Sequence, residues 1–154
     1  MTTPIITGFT TSNYYGTGTW TPGLTIGGSS TGITYSGVSG FYYQHGLMVW
    51  VKGIFTITAT GGLTGNLMLT GLPVNTDTTY TSIIQVDGQA TVVPVNTNSF
   101  YLETSTNATT GNFMAAGVAS NSNFTQLNDT NINQGGAQST FKFSGWYLAS
   151  TDGS

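Results

Sequence analysis

Charge is almost absent from this chain. Only 5% of its 154 residues are Asp, Glu, Lys or Arg, with one His and no Cys. Catalytic sites and nucleic-acid interfaces need titratable or charged groups at close quarters, and this composition can hardly build such a cluster. Lys52 and Lys142 are the only cationic side chains. That is too few to neutralise a phosphate backbone, so nucleic acid and anionic membrane are poor partners, and neither is expected. The lack of Cys rules out a disulfide framework and thiol chemistry, and fits a chain made in a reducing cytoplasm. Met1-Thr2-Thr3-Pro4 has no basic segment followed by an apolar run, so no signal peptide is expected. No apolar stretch reaches transmembrane length, which leaves no expectation of membrane insertion.

What is present is glycine (22 residues), Thr, Ser and Asn, and an aromatic fraction of 12%. The length is that of one domain. Tyr, Phe and Trp supply large apolar area per residue, enough for a core at 38% hydrophobic content. The formal net charge is −3. So small a charge leaves solubility to hydroxyls and amides, and favours association.

No window carries a 3.6-residue apolar period, and the residue supply suits strands and turns. Residues 1–18 read as an irregular N-terminal arm for docking or subunit contact, and 19–154 as a β-sandwich domain. Strands are expected over Thr19–Ile26, Ile33–Tyr35, Leu67–Leu69, Phe100–Glu103 and Thr140–Leu148, with Gly145 breaking the alternation of the last. Phe41-Tyr42-Tyr43 and Leu47 to Val51 flank Gln44-His45-Gly46, a hairpin signature that continues to Ala59. Gly53 marks a bulge or a tight neighbour. Asp87-Gly88 reads as the turn of a second hairpin between Ser82–Val86 and Ala90–Val95. Phe113–Val118 is a strand or buried loop, and 121–139 a long surface loop. Gly27-Gly28 and Gly61-Gly62 are turns. The expectation is an all-β, antiparallel two-sheet sandwich, jelly-roll-like.

Four segments together resemble a phage family. They are Gly18-Thr19-Trp20-Thr21-Pro22 with Leu24; Gly32-Ile33-Thr34-Tyr35; Gly40-Phe41-Tyr42-Tyr43 through Gly46 to Val49-Trp50-Val51-Lys52-Gly53; and Gly65 to Gly71-Leu72-Pro73. Their order and spacing are similar to the β-domains at the ends of bacteriophage tail fibres and tailspikes, and to small virion proteins. The closing Phe143-Ser144-Gly145-Trp146-Tyr147 fits how such domains end. The resemblance implies a homotrimer on the virion exterior, with no shared catalytic residues to carry over. Where the family often has Lys in the Phe41–Gly46 hairpin, this chain has Gln44-His45.

Each candidate for chemistry has a plain structural reading beside it. His45 lies in a hairpin turn without a nucleophile and acid marked beside it, so a surface contact outweighs catalysis. The acids Asp77, Asp87, Glu103 and Asp129 show no spacing that singles out a hydrolase pair. Asp87 is explained by its turn, and Asp77 and Asp129 by loop capping. Nothing resembles a calcium loop, so no metal and no cofactor is expected. Trp20, Trp50 and Trp146 read as core. Of Tyr42 and Tyr43, strand alternation leaves at most one free. Matches to the glycosylation pattern at Asn107, Asn123 and Asn128 arise by chance in an Asn/Thr-rich chain. Tyr14, Tyr15, His45, Tyr80, Asn107 and Asn123 are the candidate ligand contacts.

The leading expectation is a non-enzymatic phage virion structural protein, made in the bacterial host cytoplasm. It would be a trimeric tail-fibre-type knob bound to other phage proteins, contacting host surface glycans multivalently. The alternative is a capsid decoration protein held to the shell by the N-terminal arm. A glycan hydrolase is the third class, and it needs two of the acids in one cleft.

Overall fold

A computed structural model describes residues 15–89, 97–117, 124–132 and 139–150. They are all-β and antiparallel. The strands are β1 (Tyr15–Trp20), β2 (Gly23–Ile26), β3 (Ile33–His45), β4 (Met48–Thr60), β5 (Leu67–Thr70), β6 (Ile83–Gln89), β7 (Thr97–Thr104), β8 (Gly111–Gly117), β9 (Thr125–Gln126) and β10 (Ser139–Leu148). They join in one hydrogen-bonded path, β1-β3-β4-β10-β6-β7-β8-β5-β2, with β9 paired to β8. β1 and β2 occupy opposite ends of that path, yet only Thr21-Pro22 separates them in sequence. The sheet must therefore curl until its two ends meet.

The concave side holds the core. Phe55 of β4 lies at its centre, packed edge-on to Tyr35 and Phe113 and tilted against Phe141 and Phe143. All four rings it meets come from other strands, so this one residue ties β3, β8 and β10 together. Aromatic pairs of this kind add about 0.5–1.5 kcal/mol each beyond the area they bury. Two tyrosine hydroxyls fasten the curl. Tyr35 of β3 donates to the carbonyl of Leu24 (3.1 Å) and accepts from its N–H (2.9 Å). Tyr147 of β10 does the same to Val74, at 3.0 and 3.2 Å. The buried Tyr147 ring and the half-buried Tyr35 ring thereby keep their polar tips satisfied.

Glycines make room for the aromatics. Gly18 faces Tyr42, Gly40 faces Trp20 and Gly53 faces Phe143 as direct cross-strand partners. A Cβ on Gly40 would come within 2.6 Å of the Trp20 carbonyl, and one on Gly18 within 2.8 Å of the Tyr42 ring. Rings laid over glycine in this way recover the packing that a bare strand position loses. Gly53 is thus a tight neighbour and not a bulge. The bulges fall between Thr34 and Tyr35 and between Ser36 and Ser39.

Several expectations hold and several are revised. The β3–β4 hairpin turns on Gly46-Leu47, with Gly46 at φ 57°, a backbone conformation that two-residue hairpins ask of their first central residue. Gln44, expected in the turn, is buried in β3 and donates to the Gly46 carbonyl. The strand expected over Thr19–Ile26 is two strands, broken at Thr21-Pro22 as the chain crosses between sheet ends. Tyr15–Gly18, assigned to the arm, belong to β1; residues 1–14 lie outside the described residues. Ile33–Tyr35 is only the start of a 13-residue strand. Asp87-Gly88 is no turn. It lies inside β6, where Asp87 pairs with Lys142 and Gly88 with Phe141. Opposite charges directly across strands favour the extended form over the turn that the dipeptide prefers. Ala90–Val95 lies outside the described residues. Within 121–139, Leu127 and Ile132 are core residues, flanking a short 3-10 turn over Asp129–Asn131. That segment is therefore not simply a surface loop.

Candidate functional site

Strand alternation decides which side chains leave the core. On β10, Phe141, Phe143 and Tyr147 point inward and Lys142, Ser144, Trp146 and Leu148 outward. Gly145 keeps this period instead of breaking it: it takes an inward position, where a Cβ would meet Ile84 at 3.2 Å. Trp146 is consequently outside and 48% exposed, not core. Trp50 on β4 is half-buried on the same outer face, and only Trp20 is buried as expected. Tyr42 and Tyr43 are both half-buried, so neither is free.

The register sorts the outer face of β1-β3-β4-β10 into rows. Tyr15, His45, Met48 and Leu148 form the first row, and Thr17, Tyr43, Trp50 and Trp146 the second. Thr19, Phe41, Lys52, Ser144 and Gln85 form the third, and Ser39, Ile54, Lys142 and Asp87 the fourth. Beyond them lie hydroxyls: Thr56 hydrogen-bonds Thr140 at 2.8 Å, and Thr34 bonds Thr58 at 2.7 Å. The face thus grades from aromatic, through a lysine-bearing zone, to threonine. Contiguous exposed apolar surface of this breadth marks an interaction site in a soluble protein.

The third and fourth rows enclose an open groove of about 450 Å³. Phe41 and Ile54 supply its apolar wall, and Lys52, Lys142, Asp87, Gln85, Ser39 and Ser144 its polar groups. Both cationic side chains of the whole sequence stand in this one place. The sequence alone did not mark it. Its signal was available in the outward parity of Lys52 and Lys142, but the pairing of β4 with β10 is needed to bring them together.

The expected ligand contacts fall into two pairs. Tyr15 stacks on His45 with ring centroids 4.5 Å apart, across β1 and β3. Tyr80 and Asn107 meet around Asp77. The Asp77 carboxylate accepts from the N–H groups of Thr79 and Tyr80 (2.7 and 2.8 Å), and its carbonyl accepts from Asn107 N–H (2.9 Å). Those bonds, Thr79 first, hold its carboxyl below the usual range. Asn107 is the described non-glycine residue with left-handed backbone, φ 49°, a conformation Asn tolerates. Asp77 N–H bonds Leu148, and Ala149 N–H bonds Leu47 in the β3–β4 turn. Both pairs therefore sit at the aromatic end of the sheet. Tyr14 and Asn123 lie outside the described residues.

The acids occupy separate elements. Asp77 caps its loop, Asp87 is on β6 and Glu103 is on β7 opposite Ile83. Asp129 accepts from Gly65 N–H at 2.8 Å. Among the described residues no three His, Asp or Glu gather as metal ligands. No described helix is long and apolar enough to cross a membrane.

No protein-family model matches this chain, and no curated protein does. Among solved structures it is similar to the Dettilon tailspike protein (gp208), with a TM-score of 0.67 and 14% identity. The match covers 87% of this chain and 24% of that one, so this chain spans about a quarter of the tailspike's length. At that identity the likeness speaks to fold: the chain has the fold of a phage tail-protein domain.

Proposed function

We propose that this chain is a non-enzymatic structural component of a phage particle, a knob of tail-fibre type that assembles with copies of itself, as a trimer, and contacts host surface glycans. The curled sheet serves as its two-layer, jelly-roll-like body. The observation that carries the reading is the uncovered aromatic end of the outer face, on a fold shared with a tailspike domain. Tyr15, Met48, Trp146 and Leu148 are all exposed there, on a chain with almost no charge to oppose association. A second copy is the occupant best matched to the first two rows, because interface cores are apolar and aromatic with polar rims. Here the lysine groove and the threonine rows form that rim. Tyr80, Asp77 and Asn107 lie at the same end and offer an aromatic ring beside polar groups, as sugar recognition requires.

Electron microscopy of assembled particles tests this. Threefold knobs at the tail, with a solution mass of three chains, support the reading. Copies spread over the shell in capsid symmetry overturn it in favour of a decoration protein.

A further inference from the structure

We infer that the groove between β3, β4, β10 and β6 is a binding site for a singly charged acidic sugar unit, a saccharide bearing a carboxylate. This deepens the glycan-contact reading and rests on it. Lys52 and Lys142 take diagonal positions on adjacent strands, since Lys142 pairs with Ile54 and Ser144 with Lys52. Diagonal neighbours lie about 7–8 Å apart, close enough for like charges to repel. Both cations of the chain thus stand within reach of one bound anion.

Asp87 faces Lys142 directly, across β6 and β10. The residues across from Lys52 are Phe41 and Ser144, neither of them anionic. The groove therefore carries one positive charge in excess, two lysines against one carboxylate. That balance matches one carboxylate better than a doubly charged phosphate monoester. The rest of the lining suits a sugar ring. Phe41, with Ile54 beside it, offers an apolar surface to the C–H face, and Ser39, Ser144, Gln85 and Asp87 reach hydroxyls. The volume of about 450 Å³ is in the range of small-ligand sites.

The test uses the full chain and isothermal titration with three probes: tetragalacturonate, its methyl ester and glucose 6-phosphate. The first should bind, more weakly as salt rises, because exposed charges are screened over roughly 8 Å at physiological ionic strength. The ester should bind at least about 10-fold more weakly, the expected scale for losing a charge-assisted hydrogen bond, and glucose 6-phosphate more weakly because the groove balances only one of its two charges. Lys52→Gln with Lys142→Gln should remove the preference. Both side chains are exposed, so the fold should not change. Equal binding of tetragalacturonate and its ester, unchanged in the double variant, would overturn the groove while leaving glycan contact intact. Preference for glucose 6-phosphate would reassign the groove to phosphate and overturn the carboxylate proposal. No binding of any probe would overturn the groove, and the electron-microscopy result would then decide separately whether the knob reading stands.

Discussion

The two halves of the curled sheet finish their outer faces differently. Beside β5 and β8 the chain adds a short strand, β9, whose side chains knit to its neighbours. Gln126 of β9 donates to Asn112 (3.0 Å) and to the Leu67 carbonyl (3.3 Å), and accepts from Asn66 (2.9 Å). Phe124, from the same segment, sets its ring edge-on to Tyr101 of β7. Over β1, β3, β4 and β10, by contrast, the described chain lays nothing on Tyr15, Met48, Trp146 and Leu148, which stay exposed. One half is tied by an amide network within the chain, with Phe124 standing exposed beside it. The other presents rings and methyls, with lysines at their margin. On the reading proposed above, the amide network serves the fold and the bare rings serve assembly.

The sharpest way to break this contrast is to strike what both halves share. Phe55→Ala removes the ring that joins them and should cost about 3–5 kcal/mol, read as a lower urea midpoint. A cost under 1 kcal/mol would mean the halves are stabilised independently.

Next in size is Tyr147→Phe, which deletes both bonds to Val74 and should cost about 1–3 kcal/mol at neutral pH. Burial first of all pushes the Tyr147 hydroxyl above its ordinary 10.0, with Tyr42 adding to this and the Val74 bond opposing it. The folded state therefore holds this proton more tightly than the unfolded one. Its contribution is complete below pH 10 and is lost as pH climbs toward the raised folded value. Thermal melts across the alkaline range should fall for the wild type and run flatter in Tyr147→Phe. Parallel curves would show that the hydroxyl is not the alkaline sensor.

Gln126→Ala should cost about 1 kcal/mol, by breaking the amide network beside β5 and β8, and should leave association unchanged. The smallest effect on stability, and the most telling, belongs to Trp50→Thr with Trp146→Thr on the bare face. The folded monomer should change by under about 1 kcal/mol, while sedimentation shows self-association weakened by 10-fold or more. Loss of stability without loss of association would reverse the roles given to the two faces.

Much of this arrangement was legible in residues. The β3–β4 hairpin, the strand at Phe141–Leu148 and the turn glycines follow from local chemistry, and period-two counting through Gly145 is enough to put Trp146 outside. What was hidden depends on which strands meet. Asp87-Gly88 has the composition of a turn, and becomes a strand only because β10 lies beside it with Lys142 opposite. Leu127 and Ile132 look stranded among Asn and Gln until a core is there to receive them. The lysine groove has the same origin: Lys52 and Lys142 are far apart in sequence, and register alone makes them neighbours. Tyr15 with His45, and Tyr80 with Asn107, were legible as exposed polar aromatics and loop Asn. Their gathering at one end of the sheet was not.

The place of β10 bears on how this molecule is made. Residues 139–148 lie between β4 and β6, in the middle of the strand order. From the completion of β6 at Gln89 until β10 is made, a nascent chain therefore has two open strand edges waiting. Contacts of such long sequence separation fold slowly. Until the tenth strand arrives, Phe55 has neither Phe141 nor Phe143 to close over it. A chain broken off before residue 139 would lack Trp146 and Leu148 from its aromatic outer rows, along with the strand that organises the rest. Only copies translated through that strand can present the complete outer face.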